Sequence, residues 1–249
     1  MTSHWLADCA AIIPCLNEER AIGLLVPAVR RQVAAVFVVD DGSNDRTAAM
    51  AEQAGAEVLR HETTRGKGAA LQSGWRRALD RGFKWALTMD GDGQHSPDDI
   101  PAFFSCADSV EVALVVGNRM ARAGDMPLLR RFVNRWMSKQ LSKVAGQPLP
   151  DSQCGFRLMQ LDAWSALPIR ATHFEIESDL LLAFLAAGER VEFIPIQVIY
   201  KDEQSKIHPV RDTVRWFRWW RQTGRTIQPG RRVVLQPQTK EVKWVKWVK

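Results

Sequence analysis

Short apolar runs alternate with helical patterns along the first 200 residues of the chain. The runs typical of strands are Cys9–Ile13, Val36–Asp40, Glu57–Arg60, Trp85–Met89, Val112–Val116 and Val191–Ile196. After the first run, apolar residues from Ile22 to Val33 recur at the spacing of one helix face, and Pro27 is expected to kink or break that helix. Further helices are predicted over Arg46–Ala54, Gly68–Arg81, Pro97–Cys106 and Glu175–Ala187.

This alternation predicts an α/β fold with a Rossmann-like, mostly parallel sheet and helices on both of its faces. Ligands bind such sheets at the carboxyl ends of the strands. Polar clusters follow three of the predicted strands, namely Asn17-Glu18-Glu19, Asp40-Asp41 and Asp90-Gly91-Asp92. We therefore expect a binding site at that edge of the sheet.

The balance of basic and acidic residues changes near residue 200. Residues 201–249 hold 13 Lys and Arg against 4 Asp and Glu, a net charge of +9, so residues 1–200 sum to −3 within a total of +6. Five of the ten tryptophans also follow residue 200. We expect a catalytic domain over 1–200 and a basic, Trp-rich segment over 201–249 that meets an anionic membrane surface. Nothing in 1–200 is typical of a nucleic-acid-binding protein.

The four cysteines lack CxxC spacing and have no histidine cluster near them. Reduced, buried thiols are therefore expected instead of a disulfide framework or a zinc site. Residues 1–16 include Asp8 and run into a strand, which argues against a signal peptide. The longest apolar run, Leu180 to Ala187, is much shorter than the roughly 18–20 residues that span a bilayer.

The segment "LTMDGDGQHSPDDI" holds the strongest candidate chemistry. Mg²⁺ and Mn²⁺ prefer oxygen ligands, and Mg²⁺ is commonly bound by one or two carboxylates plus substrate phosphates. Asp92 and Gln94 could supply such oxygens, with Asp90 beside them and Gly91 letting the main chain approach a ligand. The alternative is an acidic turn that caps the next helix at Ser96-Pro97.

Two further segments indicate nucleotide binding. In "FVVDDGSNDRT" a carboxylate at the strand end could accept a hydrogen bond from the imide N–H of uracil or guanine, although turn and N-cap chemistry explains part of the pattern. In "RGKGAALQSGW" Lys67 lies between two glycines at a helix start, where main-chain N–H groups favour phosphate. A glycine-rich turn with a solvated lysine is the alternative there.

Taken together and in chain order, segments of this sequence resemble the family 2 glycosyltransferases over about residues 9–220. Besides the three segments above, the matching ones are "AIIPCLNEE", "VVGNR", "DSQCGFRLM", "FEIESDLLLAFLAAGERVEFIPI" and "SKIHPVRDTVRWF". Within that family the closest resemblance is to the polyprenyl (dolichyl) phosphate mannose and glucose synthases. The resemblance implies a GT-A fold. It also implies an inverting hexosyltransferase that uses a nucleotide diphosphate sugar, of the GDP-mannose or UDP-glucose type, and a polyprenyl phosphate acceptor.

The resemblance implies a role for each matching residue. The nucleotide sugar would contact Pro14, Leu16, Glu18, Val39 and Asp41, in addition to Lys67, Asp90 and Gly91. Asp90 and Asp92 would be catalytic, with Asp92 and Gln94 on Mg²⁺ or Mn²⁺. For the acceptor phosphate, the resemblance best supports Arg119, Arg130 with Asn134, and Lys206. Arg131 is a further candidate cation, and a solvated helix face is the alternative for Arg130 and Arg131. Leu16 stands where an aromatic residue is common in the family.

A phosphate acceptor is already largely ionised near neutral pH, because its second pKa is about 6, and needs no protein base. A hydroxyl acceptor, such as a sugar or glycolipid, would need a carboxylate. Asp151 is the candidate catalytic base for that alternative, with Glu175, Glu177 and Asp179 beside it. A further alternative is a non-catalytic membrane-bound scaffold on the same fold. The absence of GxGxR-type and GxGxxG loops argues against a nucleotidyltransferase and a dinucleotide-dependent oxidoreductase.

The segment "VRDTVRWFRWWRQTGR" predicts a helix that mixes tryptophans with arginines. That composition is typical of an amphipathic helix at an anionic lipid surface, and the alternative is a terminal helix that packs on the core. The final "EVKWVKWVK" either extends this anchor or is an addition foreign to the domain. We therefore expect a cytoplasmic protein that lies peripherally on the inner face of the membrane.

Overall fold

Seven strands form one mixed sheet in the computed structural model, which describes residues 4–199 and 215–221. The strands are β1 (Cys9–Cys15), β2 (Ala35–Asp40), β3 (Glu57–Arg60), β4 (Trp85–Thr88), β5 (Leu114–Asn118), β6 (Arg157–Gln160) and β7 (Val191–Pro195). Their order across the sheet is β3-β2-β1-β4-β6-β5-β7. Only β6 runs against its neighbours β4 and β5, so the predicted mostly parallel sheet is confirmed.

The central strands are apolar along their whole length because both faces of the sheet are covered. Successive side chains of a strand point to opposite faces, yet every residue from Cys9 to Ile13 is fully buried. Helices contact β1 and β2 and, farther along the sheet, β5 and β6. This double cover explains why continuous apolar runs mark the central parallel strands.

The helices lie between the strands in chain order. They are α1 (Trp5–Asp8), α2 (Glu19–Arg30), α3 (Thr47–Gln53), α4 (Lys67–Asp80), α5 (Ile100–Ser109), α6 (Leu128–Ala145), α7 (Leu161–Ser165) and α8 (Ile176–Ala186). Short 3₁₀ segments cover Pro97–Asp99 and Arg119–Asp125. The helix α2 continues through Pro27, so the alternative of a break at that residue is wrong. None of the helices in the described ranges is both long and apolar enough to cross a bilayer.

Two elements near the site were not predicted from the sequence. Strand β6 is a four-residue strand that begins at the buried Arg157. Helix α6 has 18 residues and ends at Gly146, whose φ of 69° is the left-handed conformation that glycine adopts most readily at a helix end. Both elements lie between the predicted strands Val112–Val116 and Val191–Ile196, and the first of those strands instead covers Leu114–Asn118.

Residues 215–221 are helical and pack on α8. Trp216 is only 4% exposed and donates its indole N–H to Ser178, while Trp219 donates to Asp179. Trp216 therefore faces the protein, which agrees with the alternative of a terminal helix that packs on the core. For that side chain the predicted membrane-facing orientation is wrong. Residues 200–214 and 222–249, with the "EVKWVKWVK" segment, lie outside the described residues.

Candidate functional site

The polar clusters predicted at the strand ends meet at one edge of the sheet. Strands β2, β1 and β4 are neighbours, and their carboxyl ends lead to Asp40-Asp41, Leu16 to Glu18, and Asp90. Pro14, Leu16 and Glu18 are all half-buried there, and the Glu18 main-chain N–H donates to Thr47. Val39 is fully buried, so its side chain belongs to the core.

Asp41 is buried at the end of β2 and connects three segments. Its carboxylate accepts hydrogen bonds from the main-chain N–H groups of Arg65 and Gly66 at 2.9 and 2.7 Å. It also accepts one from His61 Nδ1 at 2.6 Å, and His61 Nε2 lies 3.1 Å from the Ser73 hydroxyl. The carboxylate predicted to meet a base therefore also fixes the turn that leads into α4.

Lys67, the first residue of α4, lies between two carboxylates. Its amine Nζ is 2.6 Å from Asp90 Oδ1 and 2.6 Å from Glu177 Oε1. Burial by itself would lower the pKa of Lys67, but the charges of Asp90 and Glu177 raise it above its usual value. Burial likewise would raise the pKa of Asp90, but Lys67 and then His95 hold it below the usual range. Lys67 and Asp90 are therefore both charged at neutral pH.

Two glycines make room in this region, one beside the ion pair and one beside the end of β1. A Cβ atom on Gly155 would lie 2.9 and 3.0 Å from the two Asp90 carboxylate oxygens and 3.0 Å from Lys67 Nζ. A Cβ atom on Gly91 would lie 2.5 Å from Cys15 Sγ. The main chain of both residues thus passes so close to the site that a larger side chain would displace its groups.

Asp92 and Gln94 occupy the turn after β4 and are half-buried. Asp92 Oδ1 accepts a hydrogen bond from the Gln94 main-chain N–H at 3.0 Å. The described residues contain no cluster of three or more His, Cys, Asp or Glu side chains that could hold a metal. One carboxylate and one amide oxygen fit a Mg²⁺ or Mn²⁺ ion only if substrate phosphates complete its ligand shell, as predicted from the sequence.

His95 is buried behind the same turn. Its Nδ1 accepts a hydrogen bond from the Asp90 main-chain N–H at 3.3 Å, and its ring stacks on Phe156. Burial lowers the pKa of His95 to about 4, although Asp90 opposes that shift. The imidazole is therefore neutral at pH 7 and supports the turn without adding charge.

Arg119, at the end of β5, is 6% exposed and is fixed by Asp151. Its Nε and Nη2 donate to the two carboxylate oxygens at 2.8 and 2.9 Å, and its main-chain N–H donates to Asp151 as well. Burial would raise the pKa of Asp151, but Arg119 holds it below its ordinary value. The Arg119 charge also lowers the pKa of Asp90, so the two ion pairs lie within electrostatic reach of each other.

The remaining predicted acceptor residues lie on α6. Arg130 and Arg131 are half-buried in its first turn, and Arg131 Nε is buried without a hydrogen bond to any described group. Asn134 is 8% exposed one turn later. Ser138 follows on the same face and pairs with Ser152, the residue after Asp151. Lys206 lies outside the described residues.

Several residues of the site were not assigned their place from the sequence. His61 contacts Asp41, His95 supports Asp90, and the fully buried Glu177 pairs with Lys67 instead of standing ready as a base. Arg157 donates to the carbonyl groups of three residues of this region, namely Ser152, Cys154 and Glu177. The only sequence signal was a charged residue inside an apolar run, as in "FEIESDLLLAF" and "GFRLM".

Comparison with known proteins decides the family. The family model "Glycosyl transferase family 2" matches residues 10–166. This range covers all of β1 but its first residue, all of β2 to β6, and both ion pairs apart from Glu177. The chain belongs to this family. It is a glycosyltransferase, as the sequence motifs predicted, and the enzyme class expected for it is confirmed.

The curated relatives of this glycosyltransferase include sugar transferases that act on polyprenyl phosphates, among them the following two. It is 29% identical to the undecaprenyl-phosphate mannosyltransferase of Micrococcus luteus, over 77% of this chain and 83% of the relative. It is 28% identical to the UDP-N-acetylglucosamine–dolichyl-phosphate N-acetylglucosaminyltransferase of Methanococcus voltae, over 77% and 85%. The predicted resemblance to polyprenyl phosphate sugar transferases is thereby confirmed.

A solved structure confirms the GT-A fold of this glycosyltransferase. The glucosyl-3-phosphoglycerate synthase of Mycobacterium tuberculosis, in complex with Mn²⁺, uridine-diphosphate-glucose and phosphoglyceric acid, superposes with a TM-score of 0.66. The match covers 87% of this chain and 79% of that one at 19% identity. At that identity the likeness concerns the fold.

Proposed function

We propose that this glycosyltransferase moves a hexose from a nucleotide diphosphate sugar to a polyprenyl phosphate. The names of its relatives support this acceptor, because both act on a polyprenyl or dolichyl phosphate. The donor is of the GDP-mannose or UDP-glucose type, since a carboxylate at Asp41 can serve guanine and uracil alike. The enzyme works peripherally at the inner face of the membrane that holds the lipid.

The donor binds where β1, β2 and β4 end. Pro14, Leu16 and Glu18 line one side of the nucleotide, and Asp41 at the end of the neighbouring strand β2 lies on the other. Val39 supports that strand end from the core. The pyrophosphate lies near Lys67, at the start of α4, and beside Asp90 and Gly91. The N-terminus of α4 adds main-chain N–H groups that favour an anion.

Asp92 and Gln94 would hold a Mg²⁺ or Mn²⁺ ion together with the donor phosphates. A bound divalent ion neutralises the charge that develops on a departing diphosphate. Asp90, fixed by Lys67, orients the turn that carries Asp92. Solved relatives of the fold contain Mg²⁺ or Mn²⁺ together with uridine-diphosphate, which supports the choice of ion.

The acceptor phosphate binds between Arg119 and the first turns of α6. Arg119 is held rigidly by Asp151, so its position is set before the lipid arrives. Arg130, Arg131 and Asn134 approach from α6, and Lys206 is the remaining candidate. These cations offset the repulsion between the acceptor phosphate and the donor diphosphate.

One observation supports a phosphate acceptor more than a hydroxyl: three of the four carboxylates that could act as a base are already engaged. Asp151 binds Arg119, and Glu177 binds Lys67. Asp179 accepts hydrogen bonds from the main chain at 170 and 171 and from Trp219. A carboxylate held by cations and N–H donors is a weak base, whereas an ionised phosphate oxygen needs none.

The proposed reaction follows from the ionised state of the acceptor phosphate. An acceptor phosphate oxygen attacks the anomeric carbon on the side opposite the leaving diphosphate. The new carbon–oxygen bond forms as the bond to the diphosphate breaks, so the configuration at that carbon inverts. Arg119 and the α6 residues fix the attacking oxygen in line, which is a contribution of position and not of proton transfer.

Glu175→Gln tests this mechanism, because Glu175 is the one of the four candidate bases whose carboxylate shows neither an ion pair nor a hydrogen bond among the described residues. With polyprenyl phosphate as acceptor, kcat should stay within about threefold of the wild-type value, since no proton has to be removed. The exposed Glu189→Gln at the end of α8 is the matched control. A selective loss of about a hundredfold or more in Glu175→Gln would show that a protein base is required.

A further inference from the structure

The outward side of α6 carries a continuous apolar surface in its first three turns. Leu128, Phe132 and Trp136 form one row at four-residue spacing and are 81%, 69% and 38% exposed, and Leu129 and Val133 form the next row at 77% and 40%. Other exposed apolar residues, such as Leu24 on α2, stand singly. A contiguous surface of this kind marks an interaction site more often than a scattered residue does.

The 215–221 helix extends this surface. The ring centroids of Trp136 and Phe217 lie 5.7 Å apart, and Phe217 is 43% exposed. Trp216, by contrast, is buried beside Trp136 and fixes the helix to the protein. We call the exposed set the α6 apolar surface; it consists of Leu128, Leu129, Phe132, Val133, Trp136 and Phe217.

The two helices that carry the α6 apolar surface contain charged residues of one sign only. Helix α6 contains five basic residues and no acidic residue, and 215–221 contains three arginines and no acidic residue. Lys139 and Lys143 lie three and seven positions after Trp136, so the outward side of the helix changes from apolar to basic along its length. Arg135, Lys139 and Lys143 also line an open groove against residues 146–150.

We propose that the α6 apolar surface docks on an anionic lipid bilayer, with the start of α6 inserted and its end held at the headgroups. Leu and Phe side chains would enter the acyl boundary, Trp136 would lie at the interface, and Lys139 and Lys143 would meet anionic headgroups. The proposal deepens the proposed function by naming the surface that meets the membrane. Asn134 and Ser138 lie on the opposite, buried face of the same helix, so docking places the acceptor site next to the lipid.

A second copy of the chain fits this surface less well. Two copies paired through α6 would bring like charges together, with no carboxylate on either element to offset them. The segment 222–249 carries seven basic residues and one acidic residue, so it repels the same surface. An anionic bilayer offers an apolar interior for the exposed apolar side chains and negative charge for the basic residues beside them.

Co-sedimentation of the full chain with vesicles tests the surface, using phosphatidylcholine with and without phosphatidylglycerol and no sugar donor. The triple variant Leu128→Gln, Leu129→Gln, Phe132→Gln should lose at least about tenfold in vesicle affinity, because side chains of this size each bury apolar area in lipid. The matched control is Leu24→Gln, an equally exposed leucine at 79%, which should bind like the wild type. Lys139→Gln with Lys143→Gln should weaken only the binding to phosphatidylglycerol vesicles, and high salt should reproduce that loss.

Equal vesicle binding by the triple variant and the wild type would overturn the proposal. So would a wild-type dimer in size-exclusion chromatography that the triple variant converts to a monomer, because a second copy would then cover the surface. Transfer to polyprenyl phosphate in detergent is measured separately. If the wild type transfers sugar in detergent but the triple variant binds vesicles as well as the wild type, only the proposed surface is wrong. If the triple variant loses vesicle binding as expected but the wild type shows no transfer, only the proposed function is wrong.

Discussion

Lys67 is the central cation of the proposed donor side of the site. It is 15% exposed at the side chain and pairs with two carboxylates, Asp90 and Glu177, that come from different parts of the chain. Removing one partner from a buried ion pair is strongly destabilising, because the remaining charge is left without compensation. Lys67 therefore holds Asp90 and Glu177 together, and a pyrophosphate that binds near it meets a cation already in place.

The buried His95 makes stability depend on pH. The folded protein keeps it neutral with a pKa of about 4, whereas the unfolded chain takes up a proton below about 6.5. The unfolded state thus binds more protons between these values, and the free energy of unfolding should fall by a few kcal/mol as the pH drops from about 6.5 to about 4. Urea unfolding at pH 7 and pH 5 measures this, and His95→Gln should show a smaller difference than the wild type.

The exposed His4→Gln is the control for that experiment and should keep the wild-type pH dependence. An identical change in stability between pH 7 and pH 5 in His95→Gln and wild type would show that His95 is not the responsible group. Asp90 and Asp151 have pKa values below the usual range, so their contributions are lost only at still lower pH.

Asp92 offers a test of the metal. Asp92→Asn keeps an oxygen that can accept the Gln94 N–H but removes the negative charge, so kcat should fall by at least about a hundredfold. The exposed Asp98→Asn in the following turn should retain wild-type activity. Initial rates measured with chelator and after adding back Mn²⁺ provide the comparison, and wild-type transfer that a chelator leaves unchanged would contradict the assignment.

At the scale of elements, the loop that enters β6 brings the donor and acceptor sides together. Gly155 passes beside Asp90 and Lys67, while Asp151 in the same loop binds Arg119. Arg157, the first residue of β6, donates to two main-chain carbonyl groups of this loop and to that of Glu177 on α8, which fixes the path of the loop. One short segment therefore sets the distance between the two ion pairs.

Gly155→Ala tests this arrangement. The added methyl group would lie about 3 Å from Asp90 and Lys67, closer than carbon ordinarily approaches such atoms, and should separate them. We expect a loss of at least about tenfold in kcat/KM, which corresponds to about 1.4 kcal/mol, with the melting temperature lowered only slightly. Gly124→Ala, whose methyl group would lie in open space, is the control. Wild-type kinetics in Gly155→Ala would show that the ion pair tolerates displacement.

The sequence predicted the elements whose local pattern reflects their burial. Strands β1 and β2 have every or nearly every residue in the core, so their apolar runs are unbroken. Helix α6 was not predicted because its exposed side is also apolar, so its apolar residues do not mark a single helix face. Strand β6 was not predicted because it begins with an arginine, whose burial depends on hydrogen bonds to carbonyl groups of the preceding loop and of α8.

The same reasoning separates the predictable and unpredictable parts of the site. Carboxylates at strand ends, such as Asp41 and Asp90, could be placed because strand ends meet at one edge of the sheet. The residues that complete the site could not be placed: His61 reaches Asp41, and Glu177 reaches Lys67, through tertiary packing that no local spacing encodes.

At the scale of the whole molecule, the sheet carries two proposed binding sites that lie next to each other. The proposed donor side is built on β1, β2, β4 and the start of α4, and the proposed acceptor side is built on β5, the loop before β6, and α6. The α6 apolar surface lies on the outside of the acceptor side. This order, from nucleotide to phosphate to lipid, is the arrangement that a transfer to a membrane-bound phosphate requires.

The central claim is that the acceptor group is a phosphate and not a hydroxyl. The most direct measurement supplies radiolabelled nucleotide sugar in detergent with a short polyprenyl phosphate and, in parallel, with the polyprenol of the same length and with simple sugars. Labelled lipid that is cleaved by mild acid should form from the phosphate alone. Efficient transfer to the polyprenol or to a sugar hydroxyl, with none to the phosphate, would contradict the account.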